Sequence, residues 1–156
     1  SPFSHGFWRR KFGIELSNKM WLMAFRSSQE TSLRVLQWKL LHNIYPSNIL
    51  LNKMKVTENQ NCPYCPDEVE FIEHFFFYCP VVQAFWKEVE KFIFNQLDIR
   101  VHLTVQSVIF GVAVTQSAEI NQILLIGKMC VSIHRKTKSC LSIFSIFEKQ
   151  IQLRKI

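Results

Sequence analysis

The stretch CPYCPDEVEFIEHFFFYC, residues 62–79, contains the most informative pattern in this chain. Two cysteines stand two residues apart, a histidine follows, and a third cysteine completes the pattern C-x2-C-x8-H-x4-C. A proline comes directly after each of these cysteines. Three interpretations are open at this point: a metal site, a disulfide framework, or three buried thiols beside an unrelated histidine.

The number of cysteines argues against a disulfide framework. The chain has five of them, and the other two are Cys130 and Cys140. An odd number, without a basic and apolar leader at the start of the sequence, is typical of thiols in a reducing compartment. Such thiols are either buried as small hydrophobic side chains or bound to a metal. No histidine stands at ligand spacing from Cys130 and Cys140, and we expect both to be free.

The spacing of the pattern favours zinc over bare thiols. Zinc takes four ligands in a tetrahedron, and three cysteines with one histidine are a common closed structural set. On a straight α-helix, His74 and Cys79 would lie about 140° apart around the axis. Pro80 removes this difficulty, because a residue before proline is displaced from helical towards extended backbone. The pattern therefore predicts one structural Zn²⁺ whose four positions are all filled by the protein, with the ligands Cys62, Cys65, His74 and Cys79.

Periodicity elsewhere in the chain predicts an all-α fold: a small helical domain built around a CCHC zinc knuckle, with a C-terminal helical extension. The predicted helices are SLRVLQWKLLHNIYP, SNILLNKM, PVVQAFWKEVEKFIFNQL, AEINQILLIGKMCVSIHRK and LSIFSIFEKQIQLRK. We expect Thr31 or Ser32 to cap the first of these and Pro46 to stop it, and Ser47 to cap the second. The segments FWRRKFGI and VQSVIFGVA stay ambiguous. We predict an N-terminal basic segment at 1–30, a helical zinc-binding domain at 31–100 and the C-terminal extension at 101–156.

The charge of the chain is unevenly distributed. The formal net charge is +6 for residues 1–60, −4 for residues 61–100 and +5 for residues 101–156. Two basic blocks thus flank an acidic centre, and basic surfaces favour polyanions through phosphate neutralisation and counterion release. The alternative for any one cluster is an ordinary solvated face. The basic residues that we predict to contact nucleic acid are Arg9, Arg10, Lys11, Lys39, Lys53, Lys55, Arg135, Lys136 and Lys138.

Several apolar side chains are predicted to lie in the core. They are Trp38, Trp86 and the run FFFY at residues 75–78, which we expect to pack around the metal rather than to stack on bases. The most apolar run, around QILLIGKMCVSI, is interrupted by Gly127 and Lys128 and is shorter than the ~20 residues of a spanning helix. We therefore expect a soluble protein with no membrane contact.

The pieces LRVLQWKLLHNIYPSNILLNKM, CPYC and EHFFFYCPVVQAFW, in this order, resemble the reverse-transcriptase zinc-binding domain. This domain is the C-terminal segment of the polyprotein of LINE-type non-LTR retrotransposons, and the resemblance covers about residues 20–140. It implies a helical domain around a CCHC zinc site. The implied role is binding of template RNA or target DNA, so that the upstream enzyme primes reverse transcription at a nick.

We do not expect this chain to be an enzyme. Polymerases and nucleases hold two metal ions with paired carboxylates, whereas the two aspartates, Asp67 and Asp98, stand in unrelated contexts. The sequence predicts a non-catalytic nucleic-acid-binding module, either a fragment of such an element or a gene derived from one. Its expected partners are RNA or DNA and the parent reverse-transcriptase domain, in an intracellular ribonucleoprotein of the nucleus or cytoplasm. The alternative function is a zinc-stapled helical adaptor that binds protein.

Overall fold

A computed structural model describes residues 2–114 and 116–156, with side chains from residue 5 onwards, and confirms the all-α fold class. An isolated antiparallel bridge pairs Asn61 with Val69. The α-helices and one π-helical turn, in chain order, are α1 (Pro2–Phe12), α2 (Asn18–Ser27), α3 (Thr31–Leu41), α4 (Asn48–Lys53), the π turn (His74–Tyr78), α5 (Pro80–Leu97), α6 (Val105–Phe110), α7 (Ser117–Thr137) and α8 (Ile143–Leu153).

Helix α7 is the central element of the fold. It packs against α2, α3, α5, α8 and the π turn. Its side chains are buried nearly all the way round, as expected of a helix surrounded by protein. Gly127 allows α7 to approach α5 closely, because a Cβ at this position would lie 2.7 Å from the Trp86 ring. The C-terminal extension at 101–156 therefore contributes the helix around which the others pack. The division of the chain at residues 30 and 100 stays a prediction.

Two buried tryptophans connect separate elements through their ring N–H groups. Trp8 of α1 donates to the carbonyl of Leu41 at 2.8 Å, and Trp86 of α5 donates to the carbonyl of Phe76 in the π turn at 2.7 Å. The core position predicted for Trp86 is confirmed. The prediction for Trp38 is wrong, because its side chain is 50% exposed on the outer face of α3.

The predicted run FFFY divides between core and surface. Phe75 and Phe76 are buried, Phe77 is half-buried and Tyr78 is exposed. This division follows from the helical turn that carries them, since only one side of a turn can face the core.

Some helix ends differ from those that the sequence predicts. Helix α3 begins after Glu30 rather than at a Thr31 or Ser32 cap, and it ends at Leu41, well before Pro46. The left-handed backbone of Asn43, with φ of 56°, turns the chain away there. Ser47 does precede α4, but its hydroxyl makes no capping bond.

Two segments whose structure the sequence leaves open, and one that it does not predict as a helix, are wholly or partly helical. The segment FWRRKFGI lies mostly in α1, and VQSVIFGVA begins with α6. Helix α2 was not recognised in the sequence; Ser17 caps it. Among the described helices, none combines the length and the apolar character needed to cross a bilayer.

A lysine is fully buried at the middle of α7. The ammonium group of Lys128 donates to the Gln37 side-chain oxygen at 2.5 Å and to the Ile109 carbonyl at 3.4 Å. Both acceptors are uncharged, and the Gln37 amide itself donates to the same carbonyl. Burial lowers the pKa of Lys128 to about 7. The protein therefore tolerates this side chain best in its neutral form.

Replacement of Gly127 by Ala is expected to destabilise the protein by roughly 1–3 kcal/mol, because the new methyl group overpacks against Trp86. The measurement is the free energy of unfolding in urea. Gly6→Ala in α1 is the matched control, since the added methyl would meet only the mobile guanidinium end of Arg10. Equal stability of wild type and Gly127→Ala would contradict the close approach of α5 and α7.

The buried lysine predicts an unusual pH dependence. The pKa of Lys128 is about 7 in the folded state and near 10.4 in an unfolded chain, so between these values the unfolded state binds more protons. The stability contribution of this group therefore rises as the pH increases from 7 to about 10. Lys128→Met removes the group, so the unfolding free energy of the wild type is expected to rise relative to that of the variant over this range. A difference independent of pH would show that Lys128 is not buried.

Candidate metal centre

The first two cysteines of the pattern lie in a compact loop between α4 and the π turn. The backbone N–H of Cys65 donates to the carbonyl of Cys62 at 3.2 Å, and the N–H of Glu68 donates to the carbonyl of Cys65 at 2.9 Å. A third bond, from the N–H of Cys62 to the carbonyl of Glu68 at 2.8 Å, closes the loop beside the bridge. These successive turns bring the two sulfurs to the same side of the loop.

The second half of the pattern has a helical geometry that its spacing alone does not predict. The segment from His74 to Tyr78 is π-helical, and the N–H of Cys79 donates to the carbonyl of His74 at 3.1 Å. A π turn closes over five residues rather than four. It therefore brings His74 and Cys79 to the same side, which an α-helical turn does not.

Cys79 itself has the backbone that its neighbour Pro80 predicts. Its φ and ψ of −57° and 127° are extended, and it is the residue that precedes α5. The first backbone N–H groups of α5, from Val81 and Val82, point at its sulfur. They favour a thiolate at this position, as expected at a helix N-terminus.

All four predicted ligand residues come together. Their donor atoms lie within 4.8 Å of one another. The sulfur of Cys79 is 3.9 Å from that of Cys62 and 3.8 Å from that of Cys65, which is too far for a disulfide. Two sulfurs of a tetrahedral zinc site, each about 2.3 Å from the metal, lie about 3.8 Å apart. The sulfur separations therefore match those of a zinc site.

The histidine supplies a further test of the fit. Nε2 of His74 is buried and has no hydrogen-bond partner among the described residues. A buried polar atom without a partner is costly, so such an atom calls for an explanation. A metal held by the neighbouring sulfurs would satisfy it. The donor set, the sulfur separations and this nitrogen all fit one Zn²⁺.

The thiols differ in acidity before a metal binds. The hydrogen bond between Cys79 and Cys62 lowers the pKa of Cys62 to about 3, with help from the guanidinium of Arg135. The same bond, together with burial, raises the pKa of Cys79, and burial raises the pKa of Cys65. Cys62 is therefore the thiol that loses its proton most readily, and binding of zinc releases the protons that the three thiols still hold.

Arg135 of α7 is the main contact between the metal loop and the central helix. Its guanidinium donates to the Cys62 sulfur at 3.1 Å, to a Glu70 carboxylate oxygen at 2.7 Å and to the Phe75 carbonyl at 3.1 Å. The other Glu70 oxygen accepts the N–H of Asn48 at the start of α4, at 2.7 Å. One side chain of α7 therefore joins the loop, the π turn and, through Glu70, α4.

This position corrects one prediction. Arg135 was expected to contact nucleic acid, but only 5% of its surface is exposed and its charge is paired with Glu70. The zinc cluster of three thiolates and a neutral histidine would carry a charge of −1. The guanidinium of Arg135 therefore offsets the negative charge of the buried cluster and does not form part of a basic surface.

The other basic residues predicted to contact nucleic acid differ in exposure and in ion pairing. Lys11 is half-buried, forms an ion pair with Glu73 and lies 4.6 Å from the centre of the Phe71 ring. Arg9 is paired with Glu15 at 2.5 Å on the surface. The remaining members of the predicted set are all exposed: Arg10, Lys39, Lys53, Lys55, Lys136 and Lys138.

The geometry of this centre agrees with a comparison of the chain with known families. The model of the family described as zinc-binding in reverse transcriptase matches residues 4–86, which is slightly more than half of the chain. The chain belongs to this family. No curated protein and no solved structure matches it. The matched region includes the four clustered residues and ends within α5, so α7 and Arg135 lie beyond it.

Loss of one ligand is expected to unfold the protein rather than to change a surface property, because zinc affinity in such a site is folding free energy. Cys65→Ser should lose the single bound zinc in elemental analysis and the cooperative thermal transition in circular dichroism. The exposed Cys140 provides the control, since Cys140→Ser should keep both. A Cys65→Ser protein that unfolds cooperatively without metal would contradict the assignment.

Removal of the Arg135 side chain is expected to cost about 3–5 kcal/mol of stability, because it leaves the Glu70 carboxylate buried and unpaired. Arg135→Met retains most of the apolar volume and isolates the loss of charge. Lys136→Met, at the adjacent exposed position, is the control. Urea unfolding of the zinc-loaded proteins measures the difference, and a change below about 1 kcal/mol would show that the pair is not buried.

Proposed function

We propose that this chain is a non-catalytic nucleic-acid-binding module, stabilised by one zinc ion bound to Cys62, Cys65, His74 and Cys79. It would act within the polyprotein of a LINE-type retrotransposon, or as a gene derived from one, beside a reverse-transcriptase domain in an intracellular ribonucleoprotein. The observation that supports this most directly is a cleft next to the metal centre that two exposed lysines line.

The cleft lies between the metal loop and the C-terminal end of α7, and its volume is about 890 Å³. Lys136 and Lys138 line it and are exposed. Asparagine side chains at 48, 59 and 61 line it as well. Each makes one hydrogen bond within the chain, which leaves its amide further hydrogen-bonding capacity for phosphates or base edges. Two exposed cations beside hydrogen-bonding amides favour a polyanion as the ligand.

The one carboxylate among the residues that line the cleft is neutralised. Glu70 lines it, but both of its oxygens are engaged, one by Arg135 and the other by the N–H of Asn48. The Tyr64 hydroxyl bonds to Nδ1 of His134, which fixes an aromatic ring at the edge of the metal loop. The free charges that face the cleft from the end of α7 are therefore the two lysines.

Electrostatic binding of this kind has a measurable salt dependence. On a single strand, each neutralised phosphate contributes about −0.7 to the slope of log K against log salt. Lys136→Ala combined with Lys138→Ala should therefore weaken binding of a labelled single-stranded RNA and reduce the slope by about 1.4. Fluorescence anisotropy at several salt concentrations measures both quantities.

The control variant removes the same amount of charge elsewhere. Lys91 of α5 and Lys149 of α8 are exposed and do not line the cleft. Lys91→Ala with Lys149→Ala should leave the slope nearly unchanged. Equal losses in both double variants would exclude the cleft as the binding site, and binding that ignores salt would exclude nucleic acid as an electrostatic ligand.

The adaptor function is the second candidate, and one observation favours it. Several large apolar side chains are exposed on α2 and α3, as expected for a surface that docks on protein. A protein adaptor would show little or no salt-dependent binding of RNA or DNA, so the same titration separates the two functions.

A further inference from the structure

The outer faces of α2 and α3 form a continuous aromatic surface. The ring of His42 lies 4.9 Å from that of Trp21 and 4.3 Å from that of Trp38, measured between centroids. Phe25 is 52% exposed and Trp38 is 50% exposed. We call these four side chains, Trp21, Phe25, Trp38 and His42, the aromatic face. It does not line the cleft beside the metal centre.

The exposure of these rings is a property of the fold. The opposite side of α3 is occupied by Leu33, Leu36 and Leu40, which pack in the core. Residues three or four apart share one side of a helix, so Trp38 and His42 point away from that core together. The apolar rings therefore remain at the surface although a folded chain buries most side chains of this type.

The two helices that carry the aromatic face have charges of one sign. Helices α2 and α3 contain the cations Lys19, Arg26, Arg34 and Lys39 and no acidic residue. Within the described residues, none of these four forms an ion pair with a carboxylate. Arg34 lies over the Phe25 ring, with its guanidinium carbon 4.8 Å from the centroid.

The nearest acid along the chain, Glu30, is already neutralised. It precedes α3 and accepts two hydrogen bonds from Arg154 of α8, at 2.5 and 2.8 Å. Both carboxylate oxygens are therefore occupied. Arg34 thus places a positive charge without a carboxylate partner directly at the aromatic face, which complements a polyanion rather than a basic or purely apolar protein surface.

We propose that the aromatic face is a stacking platform for unpaired bases of single-stranded nucleic acid. Exposed rings bordered by cations are the combination by which proteins bind single strands without sequence preference, since every base has a π-face. Arg34, which lies over the Phe25 ring, meets a phosphate next to a stacked base. This inference rests on the proposed nucleic-acid-binding function and adds to it a second contact surface, which reads bases rather than backbone.

The test compares two probes with the same phosphate backbone. One is a 5′-labelled oligothymidine of about 12 nucleotides, and the other is an abasic oligonucleotide of the same length and charge. The zinc-loaded wild-type protein is expected to bind oligothymidine more tightly. Trp38→Ala should weaken that binding by roughly 5- to 150-fold, the range for loss of one base–aromatic stack, and leave abasic binding unchanged.

Two further variants separate stacking from general damage. Trp38→Phe retains an aromatic ring and should recover part of the affinity for oligothymidine. Val35→Ala removes an apolar side chain of similar exposure from the same helix and should have little effect. Should Trp38→Ala fail to fold, the ratio of the two wild-type affinities and the behaviour of Trp38→Phe still decide the matter.

Intrinsic fluorescence gives an independent readout. Trp8 and Trp86 are buried at 0% and 2% exposure, so a base can reach only Trp21 and Trp38. Oligothymidine should quench the emission, the abasic probe should not, and Trp38→Phe should lose most of the quenching.

The outcomes distinguish this inference from the proposed function. Equal wild-type binding of both probes, with normal binding by Trp38→Ala, would overturn the stacking platform, leave the nucleic-acid function intact and point to a protein as the occupant of the aromatic face. Failure of the wild type to bind either probe at low salt would overturn both.

Discussion

The convergence of three sulfurs and one imidazole nitrogen is the constraint on which the rest of the structure depends. Residues 54–73 form a loop with little regular structure, and its hydrogen-bonded features are a few turns and one bridge. A metal bound by the four donors fixes this loop against the N-terminal end of α5. Arg135 then connects the same cluster to α7, and α7 organises the remaining helices. Through these contacts, from metal to Arg135 to α7, a structural metal can fix the position of the acidic segment at residues 61–100 without a large local core.

The local rules of backbone geometry predicted much of this site from the sequence. The Cys and His spacing indicated the donor set, and Pro80 indicated the extended backbone of Cys79 and the start of α5. The π turn was not predictable in the same way, because nothing in the residue types of HFFFY favours a π-helical turn over an α-helical one. The burial of Arg135 was equally hidden, since its partner Glu70 lies 65 residues away and only tertiary packing brings the two together.

The exposure of Trp38 shows where helical periodicity stops being informative. It stands three positions before Leu41, which is buried, so its spacing is compatible with the apolar side of α3. The buried side consists of Leu33, Leu36, Gln37, Leu40 and Leu41, and Trp38 falls just outside it. Only the neighbouring helices determine how far around α3 the covered side extends. The family match covers residues 4–86 and so includes this surface as well as the metal centre.

The π turn also limits how the length of this segment can vary. Each residue of an α-helix rotates the next by about 100°. Deletion of one residue from 75–78 would place the histidine and the cysteine four positions apart, and an ordinary α-helical turn brings residues at that spacing to the same side. Insertion of one residue would place them six positions apart, about 120° from each other around an α-helix. Loss of a residue here would therefore exchange the π turn for an α turn and keep the two donors together, whereas gain of a residue would separate them even if every cysteine and the histidine were retained.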